Sequence, residues 1–203
     1  MKVITLYPQE FKKACQQLAD KVSDSFTPDL VIGVLTGGSY VAKQVMQGLN
    51  CSLKYDEVKV QRTGTKKKNK GFLRAVLQSL PIFLLNYLRM LESVFLEFKS
   101  KYKTPVRNGT IALSEETKAF LSSTAQLKVL LVDDAIDTGA TLSLIKEYLE
   151  DNYPGIVVKT AVITITMKNV MINADYYLFN NRTLIRFPWS NDIKNEKGNS
   201  SRS

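Results

Sequence analysis

The chain of 203 residues contains no histidine. That absence removes serine–histidine triads and most zinc chemistry, so any proton transfer must fall to Asp, Glu, Lys or Tyr. There are only two cysteines, Cys15 and Cys51, which form no metal-binding spacing and no disulfide framework. A reducing cytoplasm is therefore the expected compartment. Cys15 lies on the stripe Phe11, Cys15, Leu18, Val22 and reads as a core thiol. Long apolar runs are missing as well. The opening MKVITLYPQE is too short a run for a signal peptide. The most apolar segment, 72–102, is broken by charges well before the roughly 20 residues a bilayer crossing needs, so no transmembrane segment is expected. What remains is an ordinary globular composition, 44% apolar, long enough for one domain or for one domain with a sizeable insertion.

The net charge is +9. Such an excess suits a nucleic acid, an anionic membrane or a phosphorylated small molecule. Much of it is concentrated at Lys66, Lys67, Lys68 and Lys70, with Arg62 just before. It is not spread along a helix interleaved with stacking aromatics, so no nucleic-acid partner is expected.

The most informative stretch is Val129–Leu142, VLLVDDAIDTGATL. Four apolar residues lead into Asp133 and Asp134, and a small-residue turn, Asp137-Thr138-Gly139-Ala140-Thr141, opens a helical pattern at Leu142, Ile145 and Leu149. A buried strand thus ends in paired acids, beside a helix start whose free amides and dipole favour an anion. Acids able to hold hydroxyls or a metal beside a phosphate cradle point to a sugar phosphate. A second unit has the same plan. Leu30–Leu35 is apolar apart from Gly33, empties into Thr36-Gly37-Gly38-Ser39, and is followed by a helix over about Tyr40–Leu49.

Around these units the elements alternate. Pro8–Val22 is amphipathic with proline at its first turn. Asp56–Arg62 reads as a strand, and Thr63–Gly71 as a basic, glycine-flanked loop. In 72–102 the spacing Leu84, Leu88, Leu91, Phe95, Phe98 predicts two helices broken near Pro81, serving as a hood, a dimer surface or an interfacial membrane contact. Thr104–Thr110 reads as a loop, and Ser114–Leu121 as a helix opened by a capping box with Thr117 at its third position. Ile156–Met167 is a β-branched strand ending at Lys168. Ala174–Phe179 and Leu184–Phe187 are short strands, followed by Pro188-Trp189. Residues 190–203 form a polar tail expected to be disordered. The sum is an α/β fold with an open, mainly parallel sheet flanked by helices and a helical insertion. Residues 1–189 make the domain, with ligands at the carboxyl ends of its strands.

The segment VLLVDDAIDTGAT resembles the ribose-phosphate signature of the type I phosphoribosyltransferases, which use 5-phosphoribosyl-1-pyrophosphate (PRPP). The resemblance is carried by Leu30–Ser39 and Val129–Leu142, less closely by Ile156–Trp189, and does not extend between them. It implies transfer of the 5-phosphoribosyl group to a nitrogenous base, with release of pyrophosphate and Mg2+ as cofactor. Asp133 and Asp134 would hold the ribose hydroxyls and the hydrated magnesium, and Thr138, Gly139, Ala140 and Thr141 the 5′-phosphate. Thr36, Gly37, Gly38 and Ser39 occupy the place of the pyrophosphate loop, with Thr36 where purine enzymes usually carry Lys or Arg. Closure of the basic loop would bring catalytic Arg62 and Lys66, Lys67 and Lys68 to the pyrophosphate and exclude water.

The form Ile136-Asp137-Thr138-Gly139 is most similar to the enzymes that salvage 6-oxopurines, in which this aspartate handles the N7 proton of the base. Lys168 matches the lysine that reads the exocyclic oxygen. Leu184 falls near the place of the aromatic that stacks on the purine, a role for which Trp189 or Phe187 is available. The family also suggests a homodimer. Two other readings remain, a PRPP- or nucleotide-sensing regulator on the same fold and a phosphoribosyltransferase with a non-purine acceptor.

Overall fold

Alternation along the strands decides which helices cover which face of the sheet. The computed structural model describes residues 2–49, 53–62, 84–85, 88, 90–91, 109–123, 126–180 and 183–190. In chain order these form β1 (Lys2–Thr5), α1 (Pro8–Ser23), β2 (Leu30–Val34), α2 (Gly37–Gly48), β3 (Lys54–Arg62) and β4 (Gly109–Ala112). There follow α3 (Glu115–Ser123), β5 (Lys128–Ile136), α4 (Ala140–Asn152), β6 (Val157–Ile165), β7 (Tyr176–Phe179) and β8 (Thr183–Arg186). Six strands build the main sheet in the order β4-β3-β2-β5-β6-β7. Every pairing is parallel except β3 with β4.

Strand β2 is buried at all of its residues, as befits a strand covered on both faces. Val31, Leu130, Val132, Ala161 and Ile163 point to the layer of α1 and α2, where Cys15, Leu18 and Val45 meet them. Leu30, Ile32, Val129, Leu131 and Val162 point the other way, to Leu121 of α3 and Leu142, Ile145 and Leu149 of α4. Odd and even residues of one strand thus serve opposite layers. Cys15 sits deep in the first layer, where burial pushes its thiol up to about 12.

Several boundaries differ from the sequence expectation, each for a tertiary reason. Strand β5 does not stop at the paired acids but runs on to Ile136, because β6 continues to pair with it: Asp133 lies opposite Val162, Ala135 opposite Thr164 and Ile136 opposite Ile165. Helix α2 starts at Gly37 rather than near Tyr40, so the two glycines form its first turn. Strand β4 overlaps the end of the expected loop at Thr104–Thr110. It is held there by register with β3, in which Gln61 faces Thr110 and Arg62 faces Gly109. The small parallel sheet β1–β8 joins the two ends of the domain, Lys2 opposite Thr183 through Thr5 opposite Arg186. Arg186, at the end of β8, is buried and its Nη1 donates to Thr5 Oγ1 at 2.9 Å.

The basic loop and most of 72–102 lie outside the described residues, as do Cys51 and 191–203. Within 72–102, Leu84, Leu85, Leu88, Met90 and Leu91 are described and are helical. No helix among the described residues is long and apolar enough to cross a membrane.

Candidate functional site

The parity that sends Leu130 and Val132 toward α2 sends Asp134 there too, and the first turn of α2 meets it. A Cβ on Gly37 would collide with the Asp134 carboxylate. A Cβ on Gly38 would lie 2.6 Å from both Asp133 Cα and Val132 O. Only glycine permits this approach, which sets the Thr36–Ser39 turn directly against the paired acids. The Leu35–Thr36 peptide leading into the turn is cis. Thr36 is exposed, and among the described residues no side-chain cap bonds the start of α2, a helix start of the kind that suits an anion.

Asp133 Oδ1 accepts the Asp134 amide at 2.9 Å. Although both acids keep some solvent contact, protein surrounds them closely. Burial and then the Asp134 charge raise Asp133 well above the usual carboxylate range. Burial is also the largest influence raising Asp134, and the Asp137 charge acts on both in the same direction. Adjacent, crowded carboxylates of this kind fit a hydrated divalent cation that takes its other oxygens from a ligand. Among the described residues no three His, Cys, Asp or Glu side chains form a metal-binding group.

The second turn follows β5 immediately. Gly139 caps α4 in the left-handed region, φ 80°, and Thr138 Oγ1 accepts the Ala140 amide at 3.4 Å. The segment after β6 lies over this turn. Met171 N donates to Thr138 O at 2.8 Å, and a Cβ on Gly139 would come within 3.0 Å of Ile172 N. Asp137, exposed at the end of β5, is tied to the same segment by Thr166, whose Oγ1 donates to Asp137 Oδ1 at 2.6 Å. Lys168 is exposed two positions further on.

The structure therefore brings Gly37 and Gly38 onto Asp133 and Asp134, and gathers Asp137, Thr138 and Gly139 beside the segment that carries Lys168. Other expected residues stand apart or are otherwise engaged. Ser39 is buried and its hydroxyl donates to Glu57 at 2.7 Å, so its side chain is engaged within the fold. Trp189 stacks on Phe187 at 4.8 Å and on Tyr40 at 4.9 Å, with Phe11 at its edge. Its described ring contacts belong to the α1–α2 layer. Leu184 is half-buried on β8 opposite Val3, next to Thr183, whose carbonyl accepts Thr164 Oγ1 at 2.7 Å. For Arg62 only the backbone is described, at the end of β3, and Lys66, Lys67 and Lys68 lie outside the described residues.

Two features have no clear trace in the sequence. One is Thr166. The other is Glu57, whose Oε1 receives Lys43 at 2.7 Å, Ser39 and Tyr55 together. The Lys43 ammonium and then the Ser39 hydroxyl hold the Glu57 carboxyl down at about 2. Tyr55 and Glu57 alternate onto one side of β3, the one local hint; their partners on α2 are set by packing.

The sequence profile of the phosphoribosyl transferase domain matches residues 5–190. A purine phosphoribosyltransferase from Pyrococcus horikoshii Ot3 is similar with a TM-score of 0.60 and 21% identity, over 94% of this chain and 95% of that one. A hypoxanthine-guanine phosphoribosyltransferase from Bacillus anthracis has a TM-score of 0.55 and 14% identity, over 87% and 81%. A hypothetical protein from Neisseria gonorrhoeae with bound ppGpp has a TM-score of 0.57 and 12% identity, over 93% and 89%. At these identities the likeness is one of fold. No curated protein sequence matches the chain.

Proposed function

Since the chain belongs to the phosphoribosyl transferase domain family, whose reaction is PRPP-dependent transfer, we propose that its acceptor is a 6-oxopurine base and that magnesium accompanies PRPP. The observation that carries this reading is the position of Asp137. It stands at the end of β5, directly before the turn at Thr138–Thr141 and hydrogen-bonded to the strand end that leads to Lys168.

In the proposed reaction the bond from ribose C1 to the pyrophosphate oxygen breaks as a ring nitrogen of the base bonds to C1. The proton shed by the base passes to Asp137, and pyrophosphate leaves with the bonding electrons. Positive charge grows on the ribose and negative charge on the leaving group, so positioning and electrostatics carry the rate. Asp133 and Asp134 hold the ribose hydroxyls, and the amides and hydroxyls of Thr138–Thr141 hold the 5′-phosphate. The amides of Gly37, Gly38 and Ser39 cradle pyrophosphate, joined by Arg62 and the lysines of the basic loop. Asp133 and Asp134 would hold magnesium, which when bound would supply neutralising charge for the phosphate groups. Lys168 donates to the exocyclic oxygen of the base. Leu184 of β8, paired with Val3, and Trp189, stacked with Tyr40 and Phe187, are given no part in holding the base.

The test is pyrophosphate release from PRPP and Mg2+ with a panel of purine and non-purine bases. Turnover with hypoxanthine, guanine or xanthine is expected. Asp137→Asn should slow it by about 10²-fold or more while leaving PRPP affinity nearly unchanged. Turnover confined to non-purine acceptors overturns the purine assignment. Tight PRPP or nucleotide binding with no turnover on any base moves the chain to the regulatory reading, for which the ppGpp-bound neighbour of the same fold is the supporting observation.

A further inference from the structure

Thr166 is a polar residue in an apolar place. It follows β6, is 5% exposed, and sits between buried Ile165 and Met167. Its amide donates to Ile136 O at 2.9 Å, which fastens the end of β6 to the end of β5. Its hydroxyl lies 3.2 Å from the same carbonyl but only 2.6 Å from Asp137 Oδ1. A hydroxyl has one proton to give, and the shorter contact, to a carboxylate, is the stronger one. A buried hydroxyl needs a partner, yet this partner is an exposed side chain that would otherwise sample several rotamers. The β-branched threonine is itself stiff at χ1 and is anchored by its backbone bond. The contact therefore fixes Asp137 rather than the reverse.

We infer that Thr166 is a positioning residue for Asp137: it holds Oδ1 and so presents Oδ2 to the proton of the acceptor base. This deepens the proposed function and rests on its assignment of Asp137. The other charged groups around Asp137 are Asp133 and Asp134, which its charge raises, and Lys168 further along the same segment. Among the described residues none of them is hydrogen-bonded to the Asp137 side chain, and Thr166 is the group that sets its rotamer.

The test compares steady-state kinetics of Thr166→Val and Thr166→Ser in the wild-type and Asp137→Asn backgrounds. Thr166→Val keeps the shape and removes the hydroxyl. It should lower kcat about tenfold, a fraction of what a proton-transfer group supplies, while KM for PRPP stays within about twofold. Thr166→Ser restores the donor and should return kcat to within about twofold of wild type. In the Asp137→Asn background, Thr166→Val should have little further effect, since the two residues act as one unit. If the valine variant does not fold, Thr166→Cys, which lacks the branching methyl and offers only a weak donor, takes its place and should fall between Val and Ser. Wild-type kcat for Thr166→Val, equal loss for Val and Ser, or additive losses with Asp137→Asn would each overturn the inference. An Asp137→Asn enzyme as fast as wild type would sink the Asp137 assignment itself. A slow Asp137→Asn enzyme beside an unaffected Thr166→Val enzyme would sink the Thr166 role alone.

Discussion

Asp133 and Asp134 are placed by parity and crowded by glycine. Residues 130, 132 and 134 share the α2 side of β5, and Gly37 and Gly38 leave room for carboxylates where any side chain would collide. The consequence is electrostatic. Asp133 is raised well above its ordinary range by burial and then by the Asp134 charge. A raised carboxylate stabilises the fold fully below its unfolded value and loses that contribution as pH rises through its folded value. At neutral pH the ligand-free protein therefore carries a penalty that a neutral isostere lacks. Asp133→Asn should raise the ligand-free melting temperature at pH 7, because the isostere carries no charge to desolvate. The same variant should lose the further rise that Mg2+ and PRPP give the wild type, both read by differential scanning fluorimetry. An unchanged response to Mg2+ and PRPP would remove Asp133 from the site.

At the scale of elements, the carboxyl end of the sheet is held by cross-links between neighbours that lie far apart in the chain. Glu57 of β3 gathers Ser39 and Lys43 of α2, and so ties the Thr36–Ser39 turn to the sheet. Its carboxyl is held down at about 2, first by Lys43 and then by Ser39. A lowered carboxylate contributes stability that is present above the unfolded value near 4.5 and is lost as pH falls through the folded value. Urea midpoints measured across this acid range should fall less steeply for Glu57→Gln than for wild type, and the two should differ most above pH 4.5. The segment after β6 makes a comparable link, with Met171 N on Thr138 O and Thr166 on Asp137. Helix and strand identities were legible from periodicity: the stripe of α1, the buried run of β2 and the strand–turn–helix of β5 and α4 need only local pattern. The continuation of β5 to Ile136 was not, because it depends on the pairing offered by β6.

For the whole molecule, ligand binding and stability are one equilibrium. If both anion cradles close on PRPP, saturation at about 100 times Kd should add about 2.7 kcal/mol, or about 5–10 °C in melting temperature for a chain of this length. The increment should depend on Mg2+; a full shift in the presence of chelator would contradict a metal-assisted site. By itself the sequence determined the α/β class, the two glycine turns after buried strands, and the motif Asp133–Thr141, because each is a local pattern of period and residue type within one short stretch. Tertiary structure alone decided that Gly37 receives Asp134, that Thr166 grips Asp137, that Trp189 stacks on Tyr40 and Phe187, and that β1 pairs with β8. Those contacts join residues distant in the chain, and close packing of two helical layers on one twisted sheet selects them, a constraint that no single segment carries.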